Sequence, residues 1–169
     1  MVSTVPLVEL AERVIALCQA RNERLVTAES CTAGSLSTLL SDIPGAGEIL
    51  EGGFVSYAKS FKADVLGVDE GLLEQESAVC TPVALAMSYG ALARSTDATL
   101  AVSITGVCGP KPDEDDNPVG LAYLAVVYRT GKENVIKLEL DRHLSNGHLR
   151  GQMLGAALAL LVETLTAEN

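Results

Sequence analysis

The sequence predicts an α/β layered domain with a mixed sheet and helices on both faces. Three observations carry this. Short apolar runs of strand character alternate with helical patterns through the first two thirds of the chain. A hairpin signature then replaces the alternation, because the apolar runs Val119–Tyr128 and Asn134–Leu140 meet at Thr130 and Gly131. The hydrophobic share of 48% over 169 residues suits one domain, 1–169, with a real core.

The elements follow in order. Pro6–Arg21 sets Leu7, Leu10, Ala11, Val14, Ile15 and Cys18 at helical spacing. Leu25–Ala28 is short and apolar and reads as a buried strand. Ser35–Leu40 reads as a helix stopped by Pro44 and Gly45. A second strand, Phe54–Tyr57, follows the Gly52 and Gly53 pair, and Ser60–Leu66 is a short helix closed by Gly67. Thr81 as N-cap and Pro82 as first helical residue open a helix that runs to about Ser95. Ala98–Ile104 is an apolar strand, and the chain is helical again from about Gly147 to Leu165.

Charge and cysteine content bound the partners. With 22 acids against 12 bases the net charge is −10, and no Lys/Arg cluster is present to neutralise phosphates, so nucleic acid is a poor partner. A small anionic ligand needs only one or two arginines and a few backbone N–H groups. No apolar run is long enough to span a bilayer, and no export signal is apparent, so no membrane partner is expected. The four cysteines lack C-x-x-C spacing and read as reduced thiols of a cytoplasmic protein. The acidic run Asp113–Asp116 lacks the glycine and spaced glutamate of a calcium loop and reads as a solvated loop, so no metal and no cofactor are expected.

Ligands of open α/β sheets sit beyond the carboxyl ends of strands. Three polar corners follow strand ends here, Glu29–Gly34, Tyr57–Lys62 and Thr105–Pro110, and they are expected to converge. At the first, Ser30 stands where a strand runs into a helix, so it is either a nucleophile beside unpaired N–H groups or part of an ordinary cap. A hydroxyl needs a base. The two histidines, His143 and His148, lie in a polar stretch that reads as surface, and there is no G-x-S-x-G elbow. Lys59 and Lys62 of the second corner can serve if burial depresses their pKa by about three units from ~10.4. Ser56-Tyr57-Ala58-Lys59 fits S-x-x-K, but its S-D-N and K-T-G companions are missing. Tyr57 and Lys62 are spaced one residue too far for a short-chain dehydrogenase pair, and no G-x-G-x-x-G follows the first strand. At the third corner, Gly106 and Gly109 let backbone approach a ligand or simply make a turn.

Taken together, TAESCTAG, GGFVSYAKSFKADVLGV, AVSITGVCGP and NPVGLAYLAV resemble, in order and spacing, the CinA C-terminal domain family, from about Leu7 to Leu161. The resemblance implies a three-layer α/β/α sandwich with a mixed, mostly parallel sheet. It implies hydrolysis of nicotinamide mononucleotide to nicotinate mononucleotide and ammonia in pyridine nucleotide recycling, by a homodimer or larger homo-oligomer. It also implies Ser30 as nucleophile, Lys62 rather than Lys59 as base, and Tyr57 orienting Lys62 or donating to the intermediate. On that reading the oxyanion meets N–H groups of Cys31, Thr32, Ala33 and Gly34. The phosphate meets Thr105, Gly106 and Gly109 together with Arg142 or Arg150. Glu29 is either structural or orients Lys62, and Cys31 is the rival nucleophile. Ala33 stands where the family has glycine, Ala58–Phe61 replaces Ser-Asn-Glu-Ala, the loop after Pro110 is acidic, and Arg142–Arg150 is longer than the family's segment. The alternatives are a non-catalytic nucleotide-binding or regulatory domain, and an amidohydrolase for another amide.

Overall fold

The computed structural model describes residues 6–167; the ends of the expected 1–169 domain lie outside the described residues. A five-stranded sheet has the order β2-β1-β3-β4-β5. Its strands are β1 (Leu25–Glu29), β2 (Leu50–Val55), β3 (Leu100–Gly106), β4 (Leu121–Tyr128) and β5 (Glu133–Glu139). β2, β1 and β3 are parallel neighbours, while β4 lies antiparallel to both β3 and β5. Four strands therefore run one way and only β4 is reversed, which is the mixed, mostly parallel sheet expected.

Period-two alternation sends side chains into two cores. Leu25, Leu100, Val102, Ile104, Leu124 and Val126 face one, covered by α1 (Leu7–Arg21), α2 (Ser35–Ser41), α3 (Ala46–Ile49) and α7 (Asn146–Thr166). Val26, Ala28, Ala101 and Val127 face the other, covered by α4 (Lys59–Leu66), α5 (Glu70–Gln75) and α6 (Thr81–Arg94). Strand β1 is buried along its whole length because helices cover both of its faces. The result is the three-layer α/β/α sandwich.

Several boundaries differ from the sequence reading, each for a physical reason. The glycine pair lies inside β2 rather than before it. A Cβ at Gly53 would stand 2.3 Å from Ser37 Oγ and 2.4 Å from Thr27 Oγ1, so the strand passes α2 with no room for a side chain. Cys80, not Thr81, is the N-cap of α6, and no side chain completes the cap. The last helix starts at Asn146, where Ser145 Oγ accepts the His148 N–H at 3.3 Å. The short helices α3 and α5 leave little periodicity; α5 is set by Asp69, whose carboxylate accepts the Leu72 N–H at 2.8 Å.

Candidate active site

Because β2, β1 and β3 are adjacent and parallel, their carboxyl ends lie side by side. The three polar corners line one cavity of about 530 Å³, whose wall includes Ser30, Cys31, Tyr57, Lys59, Lys62, Thr105, Gly106 and Gly109. Ser30 is fixed one residue past β1, where its N–H donates to Ile104 O at 3.0 Å. Lys62 comes from the first turn of α4 and points inward, leaving only 1% of its surface exposed.

Lys62 Nζ lies 2.7 Å from Ser30 Oγ, 2.7 Å from Ser56 O and 3.1 Å from Tyr57 O. In the ammonium form its three N–H groups donate to these three oxygens. A neutral amine has two N–H groups and one lone pair. The two carbonyls can only accept, so they take both N–H groups and leave the lone pair facing the Ser30 hydroxyl. Burial lowers the Lys62 pKa from its ordinary 10.5 to about 8, with weaker opposing pulls from Cys31 and Glu114. The geometry presents an amine able to take a proton from a serine at the floor of a cavity.

Glu29 resolves to the structural role. Its carboxylate is fully buried and accepts the N–H groups of Gly34 (3.1 Å), Leu36 (3.0 Å) and Ser37 (2.9 Å) and the Ser37 hydroxyl (2.9 Å). A strand-end glutamate thus caps α2 in place of a local N-cap side chain. This corrects the expected oxyanion set. The Gly34 N–H is occupied by Glu29, and the Ala33 N–H donates to Ser30 O at 3.0 Å in a tight turn with Ala33 at φ +51°. The Cys31 N–H meets only its own thiol and the Thr32 N–H reaches no acceptor among the described residues, so these two are the donors left over next to Ser30 in the chain. The Thr32 and Ser56 hydroxyls are buried without partners in the same region.

Tyr57 orients Lys62, one of the two roles expected of it, but through its backbone carbonyl; its side chain is 70% exposed at the cavity mouth because it follows the edge strand β2. The expected arginine contacts are corrected. Neither arginine lines the cavity. Arg142 lies in a separate cleft with Pro118 and Leu140, and Arg150 Nε donates to Cys31 O at 3.4 Å from behind the corner. The third corner is tight for its own reasons: Thr105 Oγ1 donates to Ala78 O at 2.6 Å, and a Cβ at Gly106 would stand 2.6 Å from that of Ala122.

The acidic run is not a free solvated loop. Asp113 accepts the N–H groups of Asp115 (3.0 Å) and Asn117 (2.8 Å), and Asp115 pairs with Lys59 at 2.6 Å. Asp113, Glu114 and Lys111 thereby become wall residues of the cavity, a role the sequence reading missed. Only the proximity of the run to the third corner could have signalled it. Among the described residues no group of three or more His, Cys, Asp or Glu side chains is placed to hold a metal, and no helix is long and apolar enough to cross a membrane.

Comparison with known proteins agrees with the motifs. The family model for the CinA C-terminal domain matches residues 7–165. A CinA-like protein of Anaeromyxobacter sp. (strain K) is 43% identical over 129 residues, 76% of this chain and 31% of that protein. One of Synechococcus sp. (strain RCC307) is 39% identical over 152 residues, 90% of this chain and 36% of its own length. The chain thus spans about a third of the length of the curated relatives it matches. Among solved structures, the competence/damage-inducible protein CihA of Agrobacterium tumefaciens superposes with a TM-score of 0.89 at 34% identity, over 98% of this chain and 99% of that one. The competence damage-inducible protein A (ComA) of Klebsiella pneumoniae superposes with a TM-score of 0.91 at 30% identity, over 98% and 100%. On its motifs, its fold and this match over nearly the whole sequence, the chain belongs to the CinA C-terminal domain family.

Proposed function

We propose that the chain hydrolyses the carboxamide of nicotinamide mononucleotide to nicotinate mononucleotide and ammonia, through a Ser30–Lys62 dyad and an acyl-enzyme. The observation that carries the reading is the 2.7 Å approach of the buried Lys62 Nζ to Ser30 Oγ. The nicotinamide nucleotide itself is supported by the resemblance of the motifs. Neutral Lys62 takes the Ser30 proton as the oxygen attacks the carboxamide carbon. The N–H groups of Cys31 and Thr32 receive the oxyanion; removing one such donor typically costs ~3 kcal/mol of barrier, roughly a hundredfold in rate. The Lys62 ammonium then protonates the amide nitrogen as the C–N bond breaks, so that ammonia leaves, and water, deprotonated by Lys62, attacks the acyl-enzyme and releases the acid and the Ser30 hydroxyl. Cys31 does not compete as nucleophile, because its hydrogen bond to Cys108 and its burial push its thiol pKa well up. The protein acts on a small molecule in the cytoplasm, as a homodimer or larger homo-oligomer.

A second reading is favoured by one observation: the cavity wall carries Asp113 and Glu114 and neither arginine, and of its lysines, Lys59 is paired with Asp115 and Lys62 is held by Ser30 and two carbonyls, which leaves Lys111. That suits an amide substrate without a phosphate. Both readings are tested by ammonia release from nicotinamide mononucleotide, its riboside and nicotinamide, using wild type, Ser30→Ala, Lys62→Ala and Cys31→Ala. The first reading expects release from the nucleotide alone, a loss of about 10³-fold or more in the Ser30 and Lys62 variants, and activity retained in Cys31→Ala. Faster release from the riboside would favour the second. Activity surviving Ser30→Ala would overturn the dyad, and a folded wild type that binds nucleotide without releasing ammonia would point to a regulatory domain.

A further inference from the structure

Two thiols in the cavity wall have no part in the proposed reaction. Cys31 follows the candidate nucleophile, and Cys108 comes from the third corner. Both touch the same thioether in α7: Cys31 Sγ lies 3.6 Å from Met153 Sδ, and Cys108 Sγ lies 3.7 Å from it. The Cys108 thiol also donates to Cys31 O at 3.9 Å, so the two cysteines lie side by side. All three side chains are buried, at 5%, 7% and 0% exposure, yet the two thiols border open cavity. Two thiols at the cavity wall thus converge on one buried thioether.

We infer that Cys31, Cys108 and Met153 form a three-coordinate site for a soft monovalent cation of the Cu(I) type. Two thiolates and a thioether are the ligand set that selects such an ion over harder ones. The spacing fits. Each thiol stands 3.6 to 3.7 Å from the thioether, so an ion at the ~2.3 Å of a typical metal–thiolate bond from the thioether and from either thiol makes an S–ion–S angle of about 105°. Charge placement fits too. Both thiols give their protons to solvent as the ion binds, and Arg150, whose Nε lies 3.4 Å from Cys31 O, and Lys62 stand close enough to offset the surplus negative charge of two thiolates around one monovalent ion. The other two cysteines, Cys18 and Cys80, take no part in the cluster and serve as internal controls.

The test is anaerobic titration of the full chain with Cu(I) in competition with a Cu(I) chelator of known affinity. Binding is independent of the amidase reading, because it is followed by thiolate-to-copper absorbance and X-ray absorption rather than by turnover. The expected result is one Cu(I) per chain with sulfur-only coordination. A Cys31→Ser/Cys108→Ser variant should lose at least 100-fold in affinity, Met153→Leu about 10-fold, and a Cys18→Ala/Cys80→Ala variant nothing. Should the serine variant not fold, alkylation of wild type read by peptide mass decides instead: Cu(I) should protect Cys31 and Cys108 and leave Cys80 reactive. Failure of wild type to hold Cu(I) against the chelator, unchanged affinity in a folded serine variant, or protection at Cys18 or Cys80 in place of the pair would each overturn the site.

Discussion

The buried amine makes a sharp pH prediction. Lys62 lies 1% exposed with both neutral-form N–H groups committed to carbonyls, and its pKa stands at about 8. If the neutral form is the base, kcat/KM follows a single deprotonation of the free enzyme. Relative to the alkaline plateau, the neutral fraction is ~1/10 at pH 7 and ~1/100 at pH 6, given the midpoint near 8. The depressed pKa also has a stability signature. Below pH 8 both folded and unfolded chains hold the Lys62 proton. Between 8 and 10.5 the unfolded chain holds more, so stability rises with pH across this window and is lost as pH falls back through 8. The full excursion is about 3 kcal/mol, because each tenfold difference in proton affinity between the two states contributes ~1.4 kcal/mol. Two measurements check this: initial rates of ammonia release from pH 5.5 to 10, and denaturant unfolding of wild type minus Lys62→Met over the same range. The expected rate curve rises tenfold for each step of one in pH below 8 and then levels, and the stability difference changes only between 8 and 10.5. A rate that is flat between pH 6 and 8, or a difference curve that is flat throughout, refutes the neutral-amine base.

Two further outcomes follow from packing. Glu29→Gln removes the charge that receives three N–H groups and a hydroxyl at the start of α2, and should cost about 3 kcal/mol of unfolding free energy, read by chemical denaturation; a change below ~0.5 kcal/mol would mean that water can replace the cap. Gly90→Ala places a Cβ 2.0 Å from Leu66 O at the α6–α4 contact, so α4 must shift; a loss of about 2 kcal/mol is expected, with a drop in ammonia release because Lys62 rides on α4, and an unchanged Tm would show that the helices separate freely.

The layered α/β architecture and the place of the candidate site are legible in the order of the residues. Apolar runs that alternate with helical periodicity force a covered sheet, and polar corners after Leu25–Ala28 and Ala98–Ile104 mark strand ends whatever the details of packing. Ser30 and Lys62 stand out because their motifs are local and ordered. What each group does came from the folded arrangement, since burial and hydrogen-bond partners are supplied by residues far apart in the chain. Glu29 became a helix cap when β1 ended under α2. Tyr57 acts through a carbonyl because its ring extends from an edge strand into solvent. Arg142 and Arg150 fell outside the cavity, and the acidic run was drawn into its wall by Lys59 and Ser77, which lie 56 and 40 residues from their partners. Lys62 is the clearest case: a lysine's sequence position carries no pKa, and only enclosure beneath α4 with two carbonyls and a serine turns it from a solvated cation into a buried amine with a pKa of about 8.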